Sequence, residues 1–136
     1  MQDLVVILML KRGGVIEKEL GSVKIGRHGN LLHNVYVTEE EDAAMLVRLF
    51  ITVERDLADW EFQAVFDHYD TEIYDGLDLT VTEVTGEDNP VWEISFALPD
   101  LERLGVKIMG ILNLHSRELA GVMDAIKDSE SEYNDL

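Results

Sequence analysis

The sequence predicts an α+β domain in which about five to seven mostly antiparallel strands form a sheet, with a long C-terminal helix packed on one face. Three observations predict it. Apolar residues alternate in short runs from residue 3 to residue 98. Glycine, asparagine, aspartate and proline separate those runs. From Pro99 onward the apolar period changes from two to three and four. A chain of 136 residues buries roughly two-thirds of its unfolded surface around one core. We take residues 1–128 as a single domain. Residues 129–136, SESEYNDL, are a polar acidic tail expected to fray.

Residues 3–11 are apolar in both alternation phases (Leu4, Val6, Leu8 and Val5, Ile7, Met9), the pattern of a strand covered on both faces. Gly13-Gly14 is a two-residue hairpin signal, with VIEKEL as the returning partner. GSVKIGRHGN, 21–30, reads as irregular, and LLHNVYV as a short strand. TEEED, 38–42, is a brief helix start or a tight turn, with Thr38 and Glu41 spaced as a capping box. AMLVRLFITVE then reads as a strand through its β-branched and aromatic content.

In WEFQAVFD, Trp60, Phe62, Ala64 and Phe66 alternate with polar residues, which reads as another strand. VTEVT, the turn GEDNP and VWEISFAL repeat that pattern as a hairpin, with Trp92, Ile94, Phe96 and Leu98 facing inward. The stripe Leu101, Leu104, Ile108, Ile111, Leu112, His115, Leu119, Val122 and Ile126 lies on one side of a helix capped by Asp100. Gly105, Gly110 and Gly121 each weaken a helix by about 1 kcal/mol. They leave open a second parse, with a strand at 105–114 and Ser116 capping a shorter helix. The in-phase stripe favours the long helix. A ferredoxin-like arrangement is the second choice, gaining weight if 56–72 is helical.

The net charge is −17 and unevenly placed. Residues 1–38 hold five Lys/Arg against three acidic residues, while the remaining 98 hold six against twenty-five. Nucleic acid and anionic membranes need positive surface to displace counterions, so neither is expected as a partner. A basic protein partner fits better, and homo-oligomers through a sheet edge or the helix face are admitted. With no cysteine, disulfides, thiolate catalysis and common structural zinc sites are excluded. The apolar run Leu4–Leu10 follows Asp3 and precedes Lys11-Arg12, the wrong flanks for a signal peptide. A cytoplasmic protein is expected.

FDHYDTEIYDG, 66–76, is the densest cluster of chemistry-bearing residues. One helical turn would put His68 and Glu72 on one side, so Asp67, His68, Asp70 and Glu72 are the candidate ligands for a divalent metal. Aspartate and glycine equally build turns by bonding local backbone, and a turn is the favoured reading. No HExxH, EF-hand or GxSxG pattern accompanies it. In GRHGN, Arg27 and His28 between glycines could grip an anion, yet no phosphate-loop pattern is present and a surface loop is favoured. Trp60 and Trp92 could line one ligand or partner groove, or both be core. His115, on the apolar stripe, is expected to be a hydrogen-bonded core or boundary residue rather than a catalyst.

A non-enzymatic interaction or regulatory module without cofactor is therefore the favoured functional reading. A metal-dependent hydrolase or ligand-binding enzyme using Asp67, His68, Asp70 and Glu72 is the alternative.

Overall fold

The computed structural model describes residues 4–134. Gly13 and Gly14 both take positive φ (58° and 80°), which glycine adopts without steric cost. They fold strand β1 (Leu4–Arg12) back on β2 (Val15–Ile25). The segment 21–25, read above as irregular, belongs to β2. Two register shifts against β1, near Leu20 and Glu17, distort that strand.

The chain then carries β3 (Leu32–Glu39) to the other side of β1, parallel to it, with Leu10 beside Val37. A turn at 40–44 follows, closed by Glu40 N–H to Ala44 O (2.8 Å) and by Ala44 N–H to Asp42 Oδ1 (3.1 Å). It returns the chain as β4 (Met45–Ile51), antiparallel to β3. Two further antiparallel strands, β5 (Thr80–Val84) and β6 (Val91–Ala97), complete a six-stranded sheet ordered β2-β1-β3-β4-β6-β5. The sheet is mixed through one parallel pair, and the fold is α+β as predicted.

One expected strand is a helix. WEFQAVFD lies in α1 (Asp59–His68). Positions 60, 62, 64 and 66 alternate, but 60/64 and 62/66 are also i,i+4 pairs. Helical pairing is what forms: the Phe62 and Phe66 rings meet edge-on at 5.2 Å, and Gln63 Nε2 donates to Asp67 Oδ1 (2.9 Å). Val65 and Tyr69, out of phase for a strand, are buried with Ala64. Glu61 Oε1 accepts from Ala58 N–H (2.9 Å) at the first turn, half of a capping box.

The C-terminal helix α2 runs unbroken from Leu101 to Ile126, with Asp100 Oδ1 accepting from Arg103 N–H (2.9 Å). Its stripe covers one face of the sheet, where Leu8, Leu10, Val23, Val37, Val47, Leu49, Ile94 and Phe96 are buried. Gly105 lies close to β2: a Cβ there would stand 3.2 Å from Val23 Cγ1. Gly110 and Gly121 face open space. Each of Gly110→Ala and Gly121→Ala is therefore expected to stabilise the fold by about 1 kcal/mol, read as a higher urea midpoint at unchanged slope. Gly105→Ala should gain less, because the same propensity term is set against contact with Val23.

Two more expectations are corrected. β1 is not covered on both faces: Leu8 and Leu10 are buried, while Val5 and Ile7 are exposed at 53% and 49%. The tail does not simply fray, since Glu130–Asn134 form a short helix α3. There Tyr133 lies against Trp60 (ring centroids 6.4 Å) and donates to Asp67 Oδ2 (3.0 Å). Residues 135–136 lie outside the described residues. The element order ββββαββαα differs from the ferredoxin-like βαββαβ despite the helix at 59–68.

Candidate functional site

The corner FDHYDTEIYDG is organised by its tyrosines rather than its acids. The end of α1 and a 3₁₀ turn at Thr71–Tyr74 bury Tyr69 and Tyr74, while Asp67, His68, Asp70 and Glu72 stay exposed. Tyr69 Oη lies 2.7 Å from Tyr74 Oη and 2.8 Å from His115 Nδ1. His115 Nε2 lies 2.6 Å from the Thr52 carbonyl. A carbonyl only accepts, so Nε2 carries the ring proton and Nδ1 accepts from Tyr69. Tyr69 then accepts from Tyr74, so the donors run in one direction, from Tyr74 to Tyr69 to His115 to the Thr52 carbonyl.

Burial fixes those protonation states. It lowers the His115 pKa to about 4, outweighing the bond to Thr52, so the ring is neutral at physiological pH. It also raises both phenols, Tyr74 to about 12, with the nearby Glu118 carboxylate adding to the effect. Glu118 Oε2 further accepts from Asp70 N–H (2.9 Å), tying the corner to α2. With its three rings buried, the row joins α1, α2 and the end of β4 and offers no group to a substrate.

The candidate metal ligands are dispersed. Asp67 bonds Gln63 and Tyr133, and Asp70 Oδ1 caps the 3₁₀ turn at Glu72 N–H (2.9 Å). Among the described residues no group of three or more His, Asp or Glu could hold a metal ion. The cause is local: the aspartates satisfy backbone and neighbouring side chains, as they do in turns.

Arg27 and His28 sit in the β2–β3 connection, where His28 takes a left-handed conformation (φ 58°) and its carbonyl accepts from Leu31 N–H (2.9 Å). The two are not brought to any of the other candidates. Trp60 and Trp92 do not share a groove. Trp92 is fully buried, stacked on Tyr69 (4.3 Å) and edge-on to Phe66 and His115 (both 5.3 Å). Trp60 is half-buried on α1 against Tyr133.

The surface that sequence reasoning missed is the uncovered face of the sheet. Register places Val5, Ile7 and Met9 there, with Ile16 opposite Lys11. Tyr36 and Phe50 stack on the same face (5.6 Å), under the Lys11 ammonium at 4.0 Å from the Tyr36 ring. Farther along, Arg48 bridges Glu40 (2.7 Å) and Glu93 (3.3 Å). The signal was present in the two-phase apolar pattern of β1, which fits an exposed docking face as well as a doubly covered strand.

Fold and surface together define an α+β domain with helices on one side of a mixed sheet and, on the other, a face uncovered by helices that mixes apolar and charged side chains. The chain belongs to a family of unknown function, DUF6762, whose profile matches residues 1–134. No curated protein and no solved structure matches it. Among the described residues no helix is long and apolar enough to cross a membrane.

Proposed function

We propose that this protein is a non-enzymatic, cytoplasmic interaction module that self-associates through the uncovered sheet face. The observation that carries the reading is the exposure of Val5 (53%), Ile7 (49%) and Ile16 (57%), among Lys11, Glu19, Ser22 and Lys24, on one side of a strand pair that buries Leu8, Leu10, Val23 and Ile25 on the other. Exposed apolar patches of this kind mark contact surfaces.

Net charge −17 on each chain opposes association, and the patch lies in the one third of the sequence where Lys/Arg outnumber acids, so a dimer through it should tighten as salt screens the repulsion. A two-fold axis would set each patch against itself, sheet on sheet. The free edge of β2 is a poorer route, because two bulges and exposed Lys18 and Lys24 disfavour edge pairing. The alternative metal-dependent hydrolase finds no support in the dispersed positions of Asp67, His68, Asp70 and Glu72.

Sedimentation equilibrium of the wild type and Ile7→Lys tests the proposal. The wild type should be dimeric, and Ile7→Lys should weaken the dimer by more than about tenfold. Stability per protomer should stay within about 0.5 kcal/mol, as for other exposed positions. A monomeric wild type, or a dimer indifferent to Ile7→Lys, would sink the idea.

A further inference from the structure

Beyond β4 the chain forms a pinned segment, residues 52–58. Thr52 N–H donates to Leu31 O (2.9 Å) and Thr52 Oγ1 to Pro90 O (2.8 Å). Leu57 N–H donates to Asn89 Oδ1 (3.0 Å), and Asn89 Nδ2 to Asp56 Oδ1 (2.9 Å). Arg55 pairs with Glu61 (2.7 Å), and His115 ties Thr52 to α2.

Held this way, the segment and the C-terminal half of α2 enclose a groove of about 430 Å³, lined mainly by Val53, Leu57, Leu119, Ala120 and Met123. Val53, Glu54 and Arg55 are its shared rim with a second recess of about 460 Å³. That recess is polar and carries Glu54, Asp56, Glu87 and Asp88. Arg55 there is paired with Glu61, and His33 Nε2 lies 3.9 Å from Glu87 Oε2.

We infer that the groove and recess together dock a basic, apolar polypeptide segment of another protein, its apolar side chains on Leu119 and Met123 and its Lys or Arg among Glu54, Asp56, Glu87 and Asp88. The chemistry selects that occupant. An apolar slot beside a carboxylate-rich recess matches an amphipathic basic segment, and a wall already fixed by hydrogen bonds costs little ordering on binding. A bare divalent cation fits poorly, since among the described residues no group of three or more ligands converges. The groove shares no residue with the sheet face, so this inference stands apart from the self-association proposed above.

The probe is a fluorescein-labelled amphipathic leucine–lysine peptide, titrated by anisotropy into wild type, Ala120→Trp, Glu54→Lys and Ile7→Lys. A serine–lysine peptide of equal charge is the control. The leucine–lysine peptide should bind the wild type and weaken with salt. Ala120→Trp, which fills the groove from an exposed helical position, and Glu54→Lys should each weaken binding by about tenfold or more. Ile7→Lys should bind as the wild type does, which separates failure here from failure of the dimer.

Equal affinity for the serine–lysine peptide, or indifference to Ala120→Trp, would reduce the effect to counterion attraction and overturn the inference. Absence of binding would do the same. If Ala120→Trp instead disrupts self-association, the occupant is the second copy's hairpin tip, where Val15 and Ile16 stand near Lys11 and Lys18, and a separate partner is ruled out.

Discussion

Replacing His115 by alanine is expected to cost about 3–5 kcal/mol of folding stability near neutral pH. The imidazole is 0% exposed. Its removal opens a cavity beneath Trp92, whose ring meets it edge-on at 5.3 Å, and large-to-small core changes cost several kcal/mol. It also strips the Tyr69 hydroxyl and the Thr52 carbonyl of their shared partner, and an orphaned buried polar group costs about 1–3 kcal/mol.

The same residue predicts a pH dependence. Its native pKa is lowered to about 4 by burial, against an ordinary value of 6.5. Above 6.5 the ring is neutral in both native and unfolded chains, and its full contribution is present. Between 6.5 and 4 the unfolded chain takes up a proton that the native state refuses, so stability falls as pH falls. The accumulated loss is about 3 kcal/mol. Acid titration of the many carboxylates acts in the same range, but equally in wild type and variant. The stability gap between wild type and His115→Ala, measured by urea unfolding, should therefore narrow by about 3 kcal/mol from pH 7 to pH 4. A gap that stays constant would mean that His115 is not held neutral in the core.

Much of the architecture was legible because the apolar pattern and the sheet pleat share a period. VWEISFAL and AMLVRLFITVE alternate and became neighbouring strands β6 and β4. The helix from Leu101 was legible in a stripe long enough to outweigh three glycines. WEFQAVFD was not, because even-numbered positions four apart satisfy both periods, and Val65 and Tyr69 decide the matter only through long-range packing. The corner at 66–76 was misleading in a different way. Its acids dominate the eye, yet they stay exposed, and of the two buried tyrosines Tyr74 bonds Tyr69 while Tyr69 finds its partner, His115, more than forty positions away. No local pattern encodes such a contact.

The uncovered sheet face was hidden by the opposite problem. Val5 and Ile7 look like core in sequence, and only the one-sided placement of the helices leaves them outside. A strand apolar in both phases specifies two apolar contacts without saying whether both lie within one molecule. That is the physical reason for assigning the second contact to another copy.

Trp92→Ala is expected to cost about 3–5 kcal/mol, whereas Trp92→Phe should cost about 1 kcal/mol or less. The first removes the ring on which Phe66, Tyr69 and His115 all pack, and truncating a buried aromatic costs that much. The second exposes a compensation. Trp92 Nε1 is buried without a hydrogen-bond partner among the described residues, and an unpaired buried donor costs about 1–3 kcal/mol. Phenylalanine gives up part of the indole's apolar area but also removes that unpaired N–H, so the two terms nearly cancel. Urea unfolding of both variants checks the ordering. If phenylalanine cost as much as alanine, the indole N–H would have to be satisfied in solution, for instance by a buried water, and the tryptophan would be held by its polar edge as well as by its rings.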